Sequence, residues 1–183
     1  MNKSIHLKAS LAVAVMLALP LAHAATMTKA DYSAAKTRIA ADYKAEKTSC
    51  ASLAGNAKDI CVEEAKAKDN VARAELEYGY SGKPADQNKV QMVKAESAYA
   101  VAKERCDDLA GNPKDVCLTE AKAAETKALA NAKMGKQIGE ATTDAADTKR
   151  DANYKVAVEK CDALAGDVKA ACVADATAKF GKP

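Results

Sequence analysis

From Thr28 to Ala54 the larger side chains are Tyr32, Ile39, Tyr43, Cys50 and Leu53. Their intervals of seven, four, seven and three residues keep them on one face of a helix. Thr28, with Asp31 three residues on, resembles a capping box with Asp in place of the usual Glu. Gly55 suits the left-handed backbone that ends a helix, and Asn56 is placed to cap the next one. That second helix carries Ile60, Ala67, Val71, Ala74 and Tyr78 as one stripe and ends near Gly79. Gly79 to Pro84 reads as a loop, and Pro84 suits the first turn of a third helix. The third helix reaches about Ala110, with Val90, Val93, Ser97, Val101 and Leu109 as its apolar line. Gly111-Asn112-Pro113 repeats the turn, with Asn112 as cap and Pro113 at the first helical position. A fourth helix extends to about Met134, and Gly135 and Gly139 bracket a second linker. A fifth helix covers about residues 140–165, and a short sixth runs from about Val168 to Phe180. The pattern predicts an all-α fold of three tandem αα-hairpins, over residues 25–79, 80–135 and 136–183.

Each predicted turn sits between two cysteines. Cys50 and Cys61, Cys106 and Cys117, and Cys161 and Cys172 each enclose ten residues, with Leu-Ala-Gly at the same offset. The three copies are evenly spaced to within one position. Each pair is centred on its turn, so in an antiparallel helix pair its members come level at bridgeable distance. Six cysteines allow 15 pairings, and the repeat favours one bond inside each hairpin. Each bond closes a short loop and contributes ~2–3 kcal/mol by chain entropy. Structural zinc needs closer thiolate or imidazole ligands, in spacings such as C-x₂₋₄-C, which this chain lacks. Haem-linking C-x-x-C-H and redox C-x-x-C patterns are also absent, so neither metal nor cofactor is expected.

The N-terminus changes how the composition reads. Lys3 and Lys8 precede an apolar run from Ala9 to Leu19, then Pro20 and an Ala22-His23-Ala24 cleavage pattern. Residues 1–24 are therefore expected to be a signal peptide, cut near Ala24 to leave Ala25 first. The apolar run is too short to span a bilayer, so the mature chain is expected in the periplasm or secreted, without a transmembrane segment. Both histidines, His6 and His23, would leave with the signal. The chain from Ala25 onward holds 38 alanines but only 20 Leu, Ile, Val and Phe. Alanine favours helix yet buries little surface, so the core is thin and disulfides must substitute for it. After cleavage 26 basic residues face 25 acidic ones, a net charge of +1, which gives no reason to expect nucleic-acid binding. The opposite charges are interspersed, as on solvated helix surfaces.

Catalytic signatures are missing. No histidine remains to act as general base. Glu63-Glu64 and Asp107-Asp108 are sequence neighbours, which point about 100° apart on a helix and do not converge on one bond. No glycine-rich phosphate loop occurs. The chain is not expected to be an enzyme. Tyr43, Tyr99 and Tyr154 each precede a cysteine by seven residues, two helical turns, and are expected to pack on the cysteine face. Tyr78 and Tyr80 flank the longest loop, outside the repeat, and are the residues expected to offer an exposed contact.

The Ala-Lys-Glu helices behind a signal peptide, as in Glu63-Glu64-Ala65-Lys66-Ala67-Lys68, resemble the Ala/Lys-rich helical region of the TolA cell-envelope proteins. The resemblance implies an envelope location and carries over no site residue. The chain departs from those proteins in its cleavage site, where they keep a membrane anchor, and in its regular C-x₁₀-C hairpins. Two functions fit these readings. One is a non-catalytic exported helical protein acting as a structural, interaction or stress-protective module, with an envelope protein as partner. The other is a periplasmic binding protein holding a small ligand or cation between hairpins.

Overall fold

A computed structural model describes residues 27–181; the expected signal peptide and its cleavage site lie outside them. The described residues form five α-helices and no strand. They are α1 (Lys29–Ser49), α2 (Gly55–Ser81), α3 (Pro84–Cys106), α4 (Asn112–Cys161) and α5 (Gly166–Phe180), with a 3₁₀ turn at Cys50–Ser52.

Helix α1 starts as its sequence dictates. The Thr28 hydroxyl accepts from the Asp31 amide at 3.1 Å and donates to the Asp31 carboxylate at 2.7 Å. That satisfies one of the amides a helix start leaves without a partner. Tyr32, Ile39 and Tyr43 are half-buried and Cys50 is buried, on the predicted face. Leu53 departs from it. The chain tightens into the 3₁₀ turn after Ser49, and Leu53 becomes an extended, exposed turn residue. Leu109, also placed on a helix line by its spacing, is likewise exposed beyond the end of α3.

Helix α2 runs two residues past Gly79. Gly82 takes the left-handed C-cap conformation at φ 62°, and its amide reaches the Tyr78 carbonyl at 2.8 Å. Lys83 is extended, as expected of a residue preceding proline, and Pro84 opens α3. The loop between the first two hairpins is thus shorter than its sequence suggests, and Tyr78 and Tyr80 are helical. The stripe Ile60, Ala67, Val71, Ala74 and Tyr78 is buried or half-buried.

The second expected linker is not a linker. Gly135 and Gly139 lie inside α4, which continues unbroken for 50 residues. At 1.5 Å per residue it is about 75 Å long. The sixth predicted helix is therefore the fifth, because the fourth and fifth are one. Glycine weakens a helix by about 1 kcal/mol relative to alanine but does not end one. The first loop ends where proline forbids continuation, and no proline follows Gly139 until the chain's last residue, Pro183.

Packing follows chain order: α1 on α2, α2 on α3, α3 on α4, and α4 on α5. The helices form a layer rather than a closed bundle. Interior positions among the described residues are mostly small: alongside the cysteines the buried set is Ala65, Ala74, Leu76, Val90, Ala95, Ser97, Ala132 and Ala176. Residues 133–150 of α4 are exposed at every position. No helix among the described residues is long and apolar enough to cross a membrane.

Candidate functional site

The three stapled turns are the most regular chemical feature of the molecule. Disulfides join Cys50 to Cys61, Cys106 to Cys117 and Cys161 to Cys172, with Cα separations of 5.6, 5.7 and 5.7 Å. These distances lie at the usual span for a disulfide. Cys50, Cys106 and Cys161 are the largest fully buried side chains among the described residues. Sulfur thus fills the place that leucine or phenylalanine takes in a larger core.

Each turn is built the same way. The amides of Leu53, Leu109 and Leu164 donate to the carbonyls of Cys50, Cys106 and Cys161 at 3.1, 3.0 and 2.9 Å. The glycines that follow, Gly55, Gly111 and Gly166, have φ of 56°, 62° and 56°. An L side chain is strained there, which explains the glycine that closes each Leu-Ala-Gly. Each of these glycines starts the next helix or precedes it by one residue, rather than ending the last one. Asn56 and Asn112 accordingly fall inside their helices and are not caps. The Asn56 amide instead reaches across to the next hairpin and donates to the Glu104 carbonyl at 2.9 Å. Two turns also carry an ion pair that the cysteine spacing does not reveal: Asp107–Lys114 and Asp162–Lys169, each at 2.9 Å. The first repeat has Ala51 at the acidic position, so the signal was a seven-residue offset in two copies of three.

The repeat tyrosines are half-buried on the cysteine-bearing face but serve different neighbours. Lys122 lies 4.9 Å from the Tyr99 ring centre, and Tyr154 meets the Phe180 ring edge-on at 6.4 Å. The Glu125 carboxylate, hydrogen-bonded to Lys122, holds that ammonium above its usual pKa. Tyr78 is half-buried, and Tyr80 is exposed but covers the ring of Tyr32 at 4.6 Å. The Tyr32 hydroxyl donates to Glu77 at 2.8 Å. That bond, and then burial, push the phenol above its ordinary pKa.

A groove of about 730 Å³ runs over α2 between α1 and α3. Tyr32 and Lys36 line one wall, Arg73 and Glu77 the floor, and Asp86 and Lys89 the other wall. Asp69 binds Arg73 at 2.7 Å, and that hydrogen bond raises the guanidinium's already high pKa. Cations and anions alternate around the groove, so it has no single sign of charge to attract one kind of ion.

The adjacent carboxylates diverge as helix geometry requires. Glu63 pairs with Lys66 on its own helix at 3.3 Å, while Glu64 binds Arg105 on α3 at 2.6 Å. Among the described residues no cluster of His, Cys, Asp or Glu is placed to hold a metal ion. Compared with protein families, with curated proteins and with solved structures, the chain matches none significantly.

Proposed function

We propose that this chain is a non-catalytic exported protein of the cell envelope, acting through its helix surfaces as a structural or interaction module. The carrying observation is the set of three disulfides at the hairpin turns, each with one cysteine fully buried and the other half-buried, where a hydrophobic core would otherwise be needed. Disulfides form and persist in oxidising compartments, and small exported domains lean on them. Much of the remaining surface is alanine with interspersed charge, broken by exposed apolar side chains such as Met134, Ile138 and Val156. The resemblance to TolA-like helical regions points to the same location. The test is fractionation of the exporting cell followed by N-terminal sequencing and non-reducing peptide mapping. The expected result is chain starting at Ala25 in the periplasmic or secreted fraction, with all six cysteines in intra-repeat bonds. Free thiols, or uncleaved chain in the cytoplasm, would sink it.

One observation favours the binding reading: the groove over α2 draws its walls from both of the first two hairpins. Native mass spectrometry of periplasmic material distinguishes the two. A stoichiometric small molecule supports binding, and bare protein supports the structural role.

A further inference from the structure

The chain carries a second copy of its own hairpin–hairpin interface, and that copy is uncovered. The first copy joins α2 to α3. On α2, Asn56 and Glu64 reach α3, and the half-buried or buried stripe Ile60, Ala67, Val71, Ala74 and Tyr78 lies on that same face at 100° per residue; on α3 the matching line includes Val90, Ser97 and Val101. Val90 and Ser97 are 5% and 6% exposed. Two polar contacts set the register: Asn56 to the Glu104 carbonyl, 48 residues apart, and Glu64 to Arg105, 41 apart.

The cysteine repeats place the counterparts within α4. Laying Cys61 on Cys117 carries α2 onto the first half of α4, where its stripe becomes Val116, Ala123, Ala130 and Met134, with Asn112 and Glu120 for Asn56 and Glu64. Laying Cys106 on Cys161 carries α3 onto the second half, where its line becomes Ala145, Ala152 and Val156, with Glu159 and Lys160 for Glu104 and Arg105. Two substitutions run against the match, Lys127 for Val71 and Thr148 for Val93. At 100° per residue these positions and Ile138 form one stripe along the helix. Where α2 and α3 cover each other, this stripe is bare. Val116 is 46% exposed, Met134 54%, Ile138 59% and Val156 54%.

Because α4 is one continuous helix, its two halves lie end to end along a single axis and cannot pack on each other within one chain. We infer that the stripe is a homodimer interface, in which α4 of a second copy lies antiparallel so that the second half of each covers the first half of the other. The charges agree with the register. Glu120 faces the partner's Lys160, 40 positions on where the α2–α3 pair has 41, and Asn112 reaches the partner's Glu159 carbonyl, 47 on where that pair has 48. The one-residue difference is the residue by which the second repeat is shorter. The two-fold axis then passes near Met134 and Ile138, two of the most exposed large apolar side chains, which would meet their own copies there. Such a contact is isologous and closed, so it ends at two chains. The glycines at Gly135 and Gly139 stand where the first repeat has its loop, so the continuous helix is that loop opened out and exchanged between copies.

The test uses the intact mature chain. Light-scattering mass after gel filtration should be twice the chain mass. An amine crosslinker applied to mixed ¹⁴N- and ¹⁵N-labelled protein should join Lys127 of one chain to Lys149 of the other, giving mixed-isotope peptides. The double substitution Met134→Glu and Ile138→Glu places four carboxylates at the axis and should weaken dimerisation at least ~100-fold, leaving single chains with helicity and disulfides intact. The control Met92→Glu, at an exposed site on α3, should remain a dimer. A single-chain mass for the unsubstituted protein at 100 μM overturns the inference. So does a Lys127–Lys149 link of one isotope only, which means α4 bends at its glycines and folds back on itself, or a double variant that still dimerises. None of these outcomes bears on disulfide pairing or export, so this inference can fail while the proposed function stands.

Discussion

Removing the Cys161–Cys172 bond isolates what a staple does in this fold. Helix α5 is short, Gly166 to Phe180, and packs on α4 alone. It buries Ala176 and half-buries Val173, Thr177 and Phe180. Burying a whole large apolar side chain contributes about 1.5–3 kcal/mol, so two half-buried ones and an alanine supply roughly 2–3. Nucleating an isolated helix costs about 4 kcal/mol, from a nucleation constant near 10⁻³. Packing alone therefore leaves α5 undocked. The disulfide joins residues 11 apart, and closing a loop of that size contributes about 2.8 kcal/mol at 25 °C in the chain-entropy model. That turns the balance by a factor of about 100. With the bond present the balance favours docking by only about 1–2 kcal/mol, so the expected result for the double substitution Cys161→Ser and Cys172→Ser is roughly 5–30-fold faster amide exchange across residues 166–180, with α1 to α3 unchanged. The matching change at Cys106 and Cys117 should leave α5 protected, because α3 and the first half of α4 keep their other contacts. Exchange in α5 that stays within about twofold of the unsubstituted protein would refute the reasoning.

Three further outcomes follow from single features. Gly135→Ala and Gly139→Ala should each stabilise the protein by about 0.5–1 kcal/mol in urea unfolding, since both sites are helical with open space for a methyl group; destabilisation would show that the helix breaks there. Gly82→Ala should do the opposite, costing about 1–2 kcal/mol, because φ is 62° at a site with equally open space. The raised phenol of Tyr32 gives an alkaline dependence: folding favours the neutral ring, so its stabilisation is complete below the ordinary tyrosine pKa of about 10 and lost as pH rises through the higher folded value. Titration at 295 nm should show one late-ionising tyrosine that disappears in Glu77→Gln, and an unchanged profile in that variant removes Glu77 as the cause.

Local chemistry determined much of this molecule without help from the fold. Thr28 and Asp31 specify the start of α1, Pro84 specifies the start of α3, and each C-x₁₀-C unit carries its own turn residues, so all three staples were legible from spacing. Those features act over a few residues, where backbone sterics and capping bonds dominate. The rest was settled by competition between distant groups. Asn56 has the chemistry of a cap, but its helix begins one residue earlier and its amide is claimed by a carbonyl 48 residues away. Glu64 and Arg105 are exposed charges whose pairing across 41 residues shows only once α2 and α3 come together. Gly135 and Gly139 look like a linker because glycine permits a turn; permission is weaker than compulsion, and without a proline the hydrogen-bonded ladder of α4 propagates through them. Sequence thus determined where helices begin and which sulfurs join, while tertiary packing decided where the chain turns back and which faces remain without a partner.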